Sequence, residues 1–169
     1  KKSSYNQTAI TFTASCETKD VYLAHQIFSD KGIFAIMPLP QNDKKSTHTI
    51  VWSVENNNLL DTSIEDYVNN NIAYFEQKLS TLIKIDSAIL SFELFSHHFE
   101  NYISGNVVLV GDAAHSIHPL AGQGINLGFA DADALCEEII SSYKKSIHID
   151  QTLTLKRYEI RRKNMNLLM

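Results

Sequence analysis

VVLVGDAAHSIHPLAGQGINLGFADADA, residues 107–134, is the stretch on which the fold turns. Val107-Val108-Leu109-Val110 is a continuous apolar run, the mark of a strand buried on both faces in an α/β sheet. Gly111-Asp112 breaks it, a glycine-rich loop from His118 to Gly124 follows, and a helix is expected from about Ile125 to Tyr143. A carboxylate at the carboxyl end of such a strand sits in the crevice where open α/β sheets bind ligands. Asp112 can only accept hydrogen bonds, so it suits a chain of hydroxyls such as a polyol or ribose. Gly122 and Gly124 carry no Cβ and let backbone N–H groups come close to a ligand. The helix start behind them offers unpaired N–H groups and a positive dipole end. Together these residues describe a site for a polyhydroxylated, electron-rich or anionic cofactor. His115 and His118 with Asp112 suggest a metal set only if one helix carries them, and Pro119 and the glycines break that helix. No metal site is expected, and His115 is read as ordering the loop.

Upstream of this stretch the pattern is different. Tyr5–Ser15 alternates apolar and polar residues and is rich in β-branched side chains, which predicts a strand. Val21–Phe28 and Gly32–Met37 are further strands about the turn Ser29-Asp30-Lys31-Gly32, and Pro38-Leu39-Pro40 leads into a polar loop over 41–46. His48–Val54 is the next strand, with Ile50, Trp52 and Val54 on one face. Thr62 with Glu65 has the spacing of a capping box, and Ile64, Tyr67, Val68, Ile72, Phe75 and Leu79 follow at helical period. Ile89–Phe95 returns to strand alternation, and a last helix starts near Thr152. Trp52 and the Phe92/Phe95 pair are read as core before cavity lining. His25, His97 and His98 are read as ordinary surface or strand residues. Arg157, Arg161 and Arg162 are read as a solvated or salt-bridged helix face.

The 169 residues carry 44% hydrophobic and 20% charged side chains, the balance of a globular chain, and a net charge of −4. That acidity excludes a basic nucleic-acid footprint. No apolar run reaches the roughly 20 residues of a membrane-spanning helix, and no apolar core follows the N-terminal lysines as a signal peptide requires. Cys16 and Cys136 have no partner spacing for a zinc or redox motif, which fits a reducing compartment. Lys1 is not an initiator Met and Leu167-Leu168-Met169 ends inside a helical pattern, so the chain is expected to be a piece of a longer protein.

Gly111-Asp112-Ala113-Ala114-His115, with Pro119 and Gly122-Gln123-Gly124-Ile125-Asn126, resembles the second flavin motif of the FAD-dependent aromatic hydroxylases. The longer run His118 to Gly128 resembles the ubiquinone-biosynthesis branch of these class A flavin monooxygenases. Gln7-Thr8-Ala9, Met37-Pro38-Leu39-Pro40, Val51-Trp52-Ser53, Arg157-Tyr158-Glu159 and Arg161-Arg162 fall in the same order, so the similarity covers nearly the whole chain. The resemblance implies an α+β or α/β fold, like that of para-hydroxybenzoate hydroxylase but incomplete. An antiparallel substrate-domain sheet with one covering helix would span 1–100. The C-terminal part of a Rossmann-like FAD-binding domain would span 101–145, and the start of a C-terminal helical segment 146–169.

By the same resemblance, Asp112 would bond the ribityl hydroxyls of FAD and Gly111 would allow the tight exit from the strand. Pro119, Leu120, Ala121, Gly122, Gln123 and Gly124 would lie along the isoalloxazine ring. The helix start at Gly124-Ile125-Asn126 would stabilise negative charge on its pyrimidine edge. No side chain of this stretch is implied as catalytic, because the flavin carries the oxygen chemistry. NAD(P)H would reduce FAD, O2 would give a flavin C4a-hydroperoxide, and a polyprenylated phenol of ubiquinone biosynthesis would be hydroxylated. Other ubiquinone-biosynthesis proteins are the implied partners, at the cytoplasmic periphery of the inner membrane. The family's G-x-G-x-x-G and Asp-Gly motifs do not occur in these residues; Gly122, Gly124 and Gly128 are spaced one residue too long. This segment alone is therefore expected to be inactive. Two alternatives stand beside the reading. One is a hydroxylase of another small aromatic compound, disfavoured for a carboxylate substrate because Arg occurs only at 157, 161 and 162. The other is a noncatalytic binding or assembly module without the ADP-binding half.

Overall fold

The computed structural model describes residues 2–17, 22–40, 46–118, 123–149 and 153–166. Two compact units divide the chain: residues 6–94, and residues 1–5 together with 95–169.

The unit of residues 6–94 is an antiparallel sheet covered by one helix. Its strands are β1 (Lys2–Cys16, shared at its start with the other unit), β2 (His25–Ser29), β3 (Gly32–Pro38), β4 (Thr47–Glu55) and the short β5 (Ile83–Ile85). The first part of β6 (Leu90–His98) belongs here too. The order is β2-β3-β4-β1, with β5 also pairing with β1. The register carries the period-2 apolar pattern across three strands, aligning Ile10 with Trp52 and Phe34, and Phe12 with Ile50 and Ile36. All six are 4% exposed or less, so this row of side chains forms one buried face.

Helix α1 (Ile64–Leu79) lays Tyr67, Val68 and Phe75 on that face. Phe75 stacks on Phe34 with ring centroids 4.2 Å apart, and meets Trp52 edge-on at 4.9 Å. The indole N–H of Trp52 and the hydroxyl of Tyr67 both donate to the Lys31 carbonyl, at 2.8 and 3.2 Å, which ties the β2–β3 turn to the core. The helix begins one residue later than the Thr62/Glu65 spacing predicts. Ser63 is the cap, its hydroxyl accepting from the Asp66 N–H at 3.0 Å, because Ser63 and Asp66 offer the same three-residue spacing. The strand expected from Val21 begins at His25, Val21 itself lying outside the described residues; of the loop expected over 41–46, only Ser46 is described.

In the second unit the start of β1, the end of β6 and β9 (His115–Ser116) run side by side. A hairpin of β7 (Ile103–Ser104) and β8 (Val107–Val108) follows β6, and helices α2 (Gln123–Lys144) and α3 (Thr154–Asn166) complete the unit. The run Val107–Val110, expected as a strand buried on both faces, contributes only two residues to an antiparallel ladder, and Val107 is 65% exposed. A fully apolar strand becomes a central strand only when both of its faces are covered, and here Val108 packs on the core while Val107 is left exposed. Tyr102, Ala114, Ala134 and Tyr158 form the core, with Val108, Leu109 and Leu135 against it. Ser142 and Thr154 share a buried hydrogen bond of 2.6 Å between α2 and α3. No described helix is long and apolar enough to cross a membrane.

Candidate functional site

Gly111 begins a 3-10 turn, Gly111–Ala113, with φ +58°, a left-handed conformation that glycine adopts without penalty. A Cβ on Gly111 would sit 3.4 Å from the Cα of Gly128, so the turn lies directly against α2 where that helix is also glycine. One turn earlier in α2, a Cβ on Gly124 would sit 3.8 Å from Oδ1 of Asp112. The carboxylate of Asp112 is thus held beside the first turn of the helix. It is exposed, and no described residue donates a hydrogen bond to it. Val110, Gly111, Asp112, Gly124, Ile125, Gly128 and Phe129 line an open cavity of about 480 Å³.

The backbone on either side of the Asp112 side chain is fixed. The Gly111 N–H donates to Oδ2 of Asp131 at 2.8 Å, and Nε2 of His97 donates to the Asp112 carbonyl at 2.7 Å. Asp131 is 0% exposed and also receives His115 Nε2 on Oδ2 at 2.7 Å and Arg162 Nε on Oδ1 at 2.5 Å. A buried carboxylate requires such pairing, since stripping it of water costs several kcal/mol, on the order estimated for a buried ion. His118, whose burial lowers its pKa, donates its backbone N–H to the Tyr5 hydroxyl at 3.0 Å and packs edge-on against that ring.

Helix α3 braces the same region from behind. The Tyr158 hydroxyl donates to the Leu109 carbonyl at 2.8 Å, and burial raises the Tyr158 pKa. Glu159 accepts the Tyr102 N–H at 2.8 Å and pairs with Lys156 and Lys163. Burial alone raises the pKa of Glu159, but the hydrogen bonds from Lys156, the Tyr102 amide and Lys163 together outweigh it and hold the carboxyl at about 2.

Of the residues singled out in the sequence, Gly111 and Asp112 lie in the turn, and Gln123, Gly124, Ile125 and Asn126 form the opening of α2 beside it. Pro119, Leu120, Ala121 and Gly122 lie outside the described residues. His115 is buried and bonded to Asp131 on α2; residues 119–122 of the loop it was expected to order lie outside the described residues. Arg162 is salt-bridged, one half of the expected reading, but buried rather than solvated. It is 6% exposed and paired with Asp131, whereas Arg161 makes an exposed pair with Glu137. Asp131, His97 and the buried role of Arg162 were not legible as site residues, though a signal existed. Asp131 shares the spacing of Leu127 and Ala134 on the buried stripe of α2, and Arg162 that of Leu155 and Tyr158 on α3. A charged residue on an apolar stripe points to a buried partner. Trp52 is core, while Phe95 lines a separate cavity of about 280 Å³ with Lys2, His97, His98 and Phe99.

The FAD binding domain family matches residues 3–166. The 3-demethoxyubiquinol 3-hydroxylase of Escherichia coli (strain K12) is 31% identical over 98% of this chain and 41% of its own length. Ubiquinone hydroxylase UbiL of Rhodospirillum rubrum is 31% identical over 98% of this chain and 38% of its own. The mitochondrial ubiquinone biosynthesis monooxygenase COQ6 of Xenopus tropicalis is 29% identical over 96% and 42%. The chain thus spans about two fifths of the length of these relatives. Among solved structures, Pseudomonas aeruginosa PqsL in complex with 2-aminobenzoylacetate superposes with a TM-score of 0.71 at 17% identity, over 99% of this chain and 46% of that one. The flavin-dependent brominase Bmp2 gives 0.74 at 11% identity, over 99% and 44%. At these identities the two structures speak for the fold, and the sequence matches speak for the family: this chain belongs to the FAD binding domain family, with a ubiquinone hydroxylase and a ubiquinone biosynthesis monooxygenase among its relatives.

Proposed function

We propose that this chain is the part of an FAD- and NAD(P)H-dependent monooxygenase that holds the flavin end of FAD, and that the enzyme hydroxylates a polyprenylated phenol on the route to ubiquinone with O2 as oxygen source. The observation that carries the reading is the exposed carboxylate of Asp112, to which no described residue donates, beside Gly124 in an open cavity of about 480 Å³. The residues present fit a flavin. Asp112 offers two acceptor oxygens to ribityl hydroxyls, and the missing Cβ of Gly124 leaves the approach to Asp112 open. The first turn of α2, Gln123 to Asn126, presents N–H groups to an electron-rich ring edge. Pro119, Leu120, Ala121 and Gly122 are assigned to the face of the ring by resemblance. When bound, the flavin supplies the activation of O2, and this stretch needs no nucleophile. The chain's own contribution is to bind the cofactor, orient it and stabilise charge on it. A 1–100 substrate side and a 101–145 flavin side, followed by the helical segment 146–169, complete the proposal. A prenylated substrate fits peripheral membrane association and contacts with other enzymes of the pathway.

The test uses the complete natural protein with Asp112→Ala. The variant is expected to purify without bound FAD, read from its visible absorbance, and to lose incorporation of labelled oxygen from O2 into a prenylated phenol. A variant that keeps full FAD content and turnover sinks the role of Asp112. Wild-type protein that holds FAD but leaves the prenylated phenol unchanged sinks the substrate assignment.

A further inference from the structure

Among the described residues none donates to the Asp112 carboxylate, and its backbone carries the contacts that aim it. That backbone is held at two points, Gly111 N–H by Asp131 and the Asp112 carbonyl by His97. The two clamping side chains come from separate elements, α2 and β6, and neither lines the cavity that Asp112 faces. We propose that Asp131 and His97 are positioning residues for the flavin site: they fix the left-handed Gly111 turn that presents Asp112, with Arg162 supplying the opposite charge to buried Asp131. The inference rests on the flavin role of Asp112 proposed above.

Asp131 engages donors from three places in the chain. These are the turn at Gly111, His115 on β9 and Arg162 on α3. A buried ion pair adds little net stability over an apolar replacement of the same shape. What its carboxylate adds here is direction. It is an acceptor aimed at one particular N–H, at the residue whose φ of +58° sends the chain toward Asp112. Arg162 allows that acceptor to be a carboxylate, because it brings a guanidinium into a site only 6% exposed at Arg162 and 0% at Asp131. His97 closes the clamp on the far side of the same residue with a 2.7 Å bond. A shift of either contact turns the Asp112 side chain relative to α2, while groups that bind elsewhere on the cofactor are left in place.

The experiment measures dissociation constants for FAD and for ADP, which lacks the ribityl hydroxyls, on the complete natural protein. FAD is followed by flavin fluorescence and ADP by its competition with FAD. Asp131→Asn is expected to weaken FAD about tenfold or more, the size of one charge-assisted hydrogen bond, and to leave ADP within about twofold. His97→Ala is expected to act in the same sense and more weakly; being on a partly exposed strand residue, it serves if Asp131→Asn does not fold. Ser142→Ala removes the buried Ser142–Thr154 bond away from the turn and reports plain destabilisation; it is expected to lower the unfolding midpoint and leave both constants unchanged. FAD and ADP weakened together, in step with the unfolding midpoint, would overturn the inference in favour of a structural role. FAD affinity unchanged in Asp131→Asn and His97→Ala, with Asp112→Ala still losing FAD, would overturn it while leaving the proposed function intact. Unchanged FAD affinity in Asp112→Ala removes the flavin reading itself.

Discussion

Gly32 and Gly111 are both left-handed, and they are constrained by different neighbours. Among the described residues, a Cβ on Gly111 would meet the Cα of Gly128, at 3.4 Å. A Cβ on Gly32, at φ +105°, would lie 2.2 Å from the Ser53 carbonyl oxygen, which is backbone inside the sheet and has nowhere to go. Gly32→Ala is therefore expected to destabilise the protein by roughly 2 kcal/mol or more, seen as a fall in the urea midpoint at constant slope. A midpoint equal to wild type would mean that the β2–β3 turn relaxes freely. The sequence gives the turn at Ser29-Asp30-Lys31-Gly32 from its residue types, but the contact with Ser53 depends on the β3–β4 register and is not in any local pattern. The cysteines divide the same way. Burial first, then Asp86 and Glu76, push the Cys16 thiol up to about 11, and its place on the buried face follows from the alternation Ile10, Phe12, Ala14.

At the scale of elements, α3 shows how a helix with a weak apolar pattern still finds its place. Thr154, Leu155, Tyr158, Glu159 and Arg162 are its buried residues, and three of the five are polar or charged. Its docking therefore rests on pairing as much as on apolar area, and pairing is pH-dependent. Glu159 drops from its ordinary 4.5 to about 2 in the folded protein, because hydrogen bonds from Lys156, Tyr102 and Lys163 outweigh the effect of its burial. A carboxylate whose pKa falls on folding contributes stability that is fully present above about pH 4.5 and is lost as pH drops through about 2. The contribution is roughly 3 kcal/mol at most by linkage, and less in practice since the Lys156 side chain is 53% exposed. Thermal midpoints measured between pH 6 and 2 are expected to fall less steeply for Glu159→Gln than for wild type below pH 4.5. Parallel curves would show that this cluster does not drive acid unfolding.

Across the whole molecule there are two cores, one in each unit. The aromatic cluster of Phe34, Trp52, Tyr67 and Phe75 dominates that of residues 6–94. Phe75→Ala is expected to cost about 3–5 kcal/mol, a large share of the 5–15 kcal/mol that holds an ordinary domain together, and to shift the urea midpoint accordingly. A loss under about 1 kcal/mol would mean that the cluster refills the space. Local pattern determined four main strands of the first ninety residues, β1 to β4, though not the short β5, together with the helix over them, its buried face and the glycine-bounded turn at Gly111-Asp112, because each of these is a local property of side-chain spacing and backbone freedom. The sequence also placed a helix start at about Ile125, two residues after the observed Gln123, without showing that it lies beside Asp112. Only the tertiary structure decided that Ser63 and not Thr62 caps α1, that Val107 is exposed, and that Asp131, His97, His115 and Arg162 converge behind the turn. Those residues lie 16 to 65 positions apart. A hydrogen bond between a carboxylate on one helix and a guanidinium on another leaves no period in the sequence. It exists because the fold brings a charge onto an otherwise apolar face, where leaving it unpaired would cost more than ordering its partner.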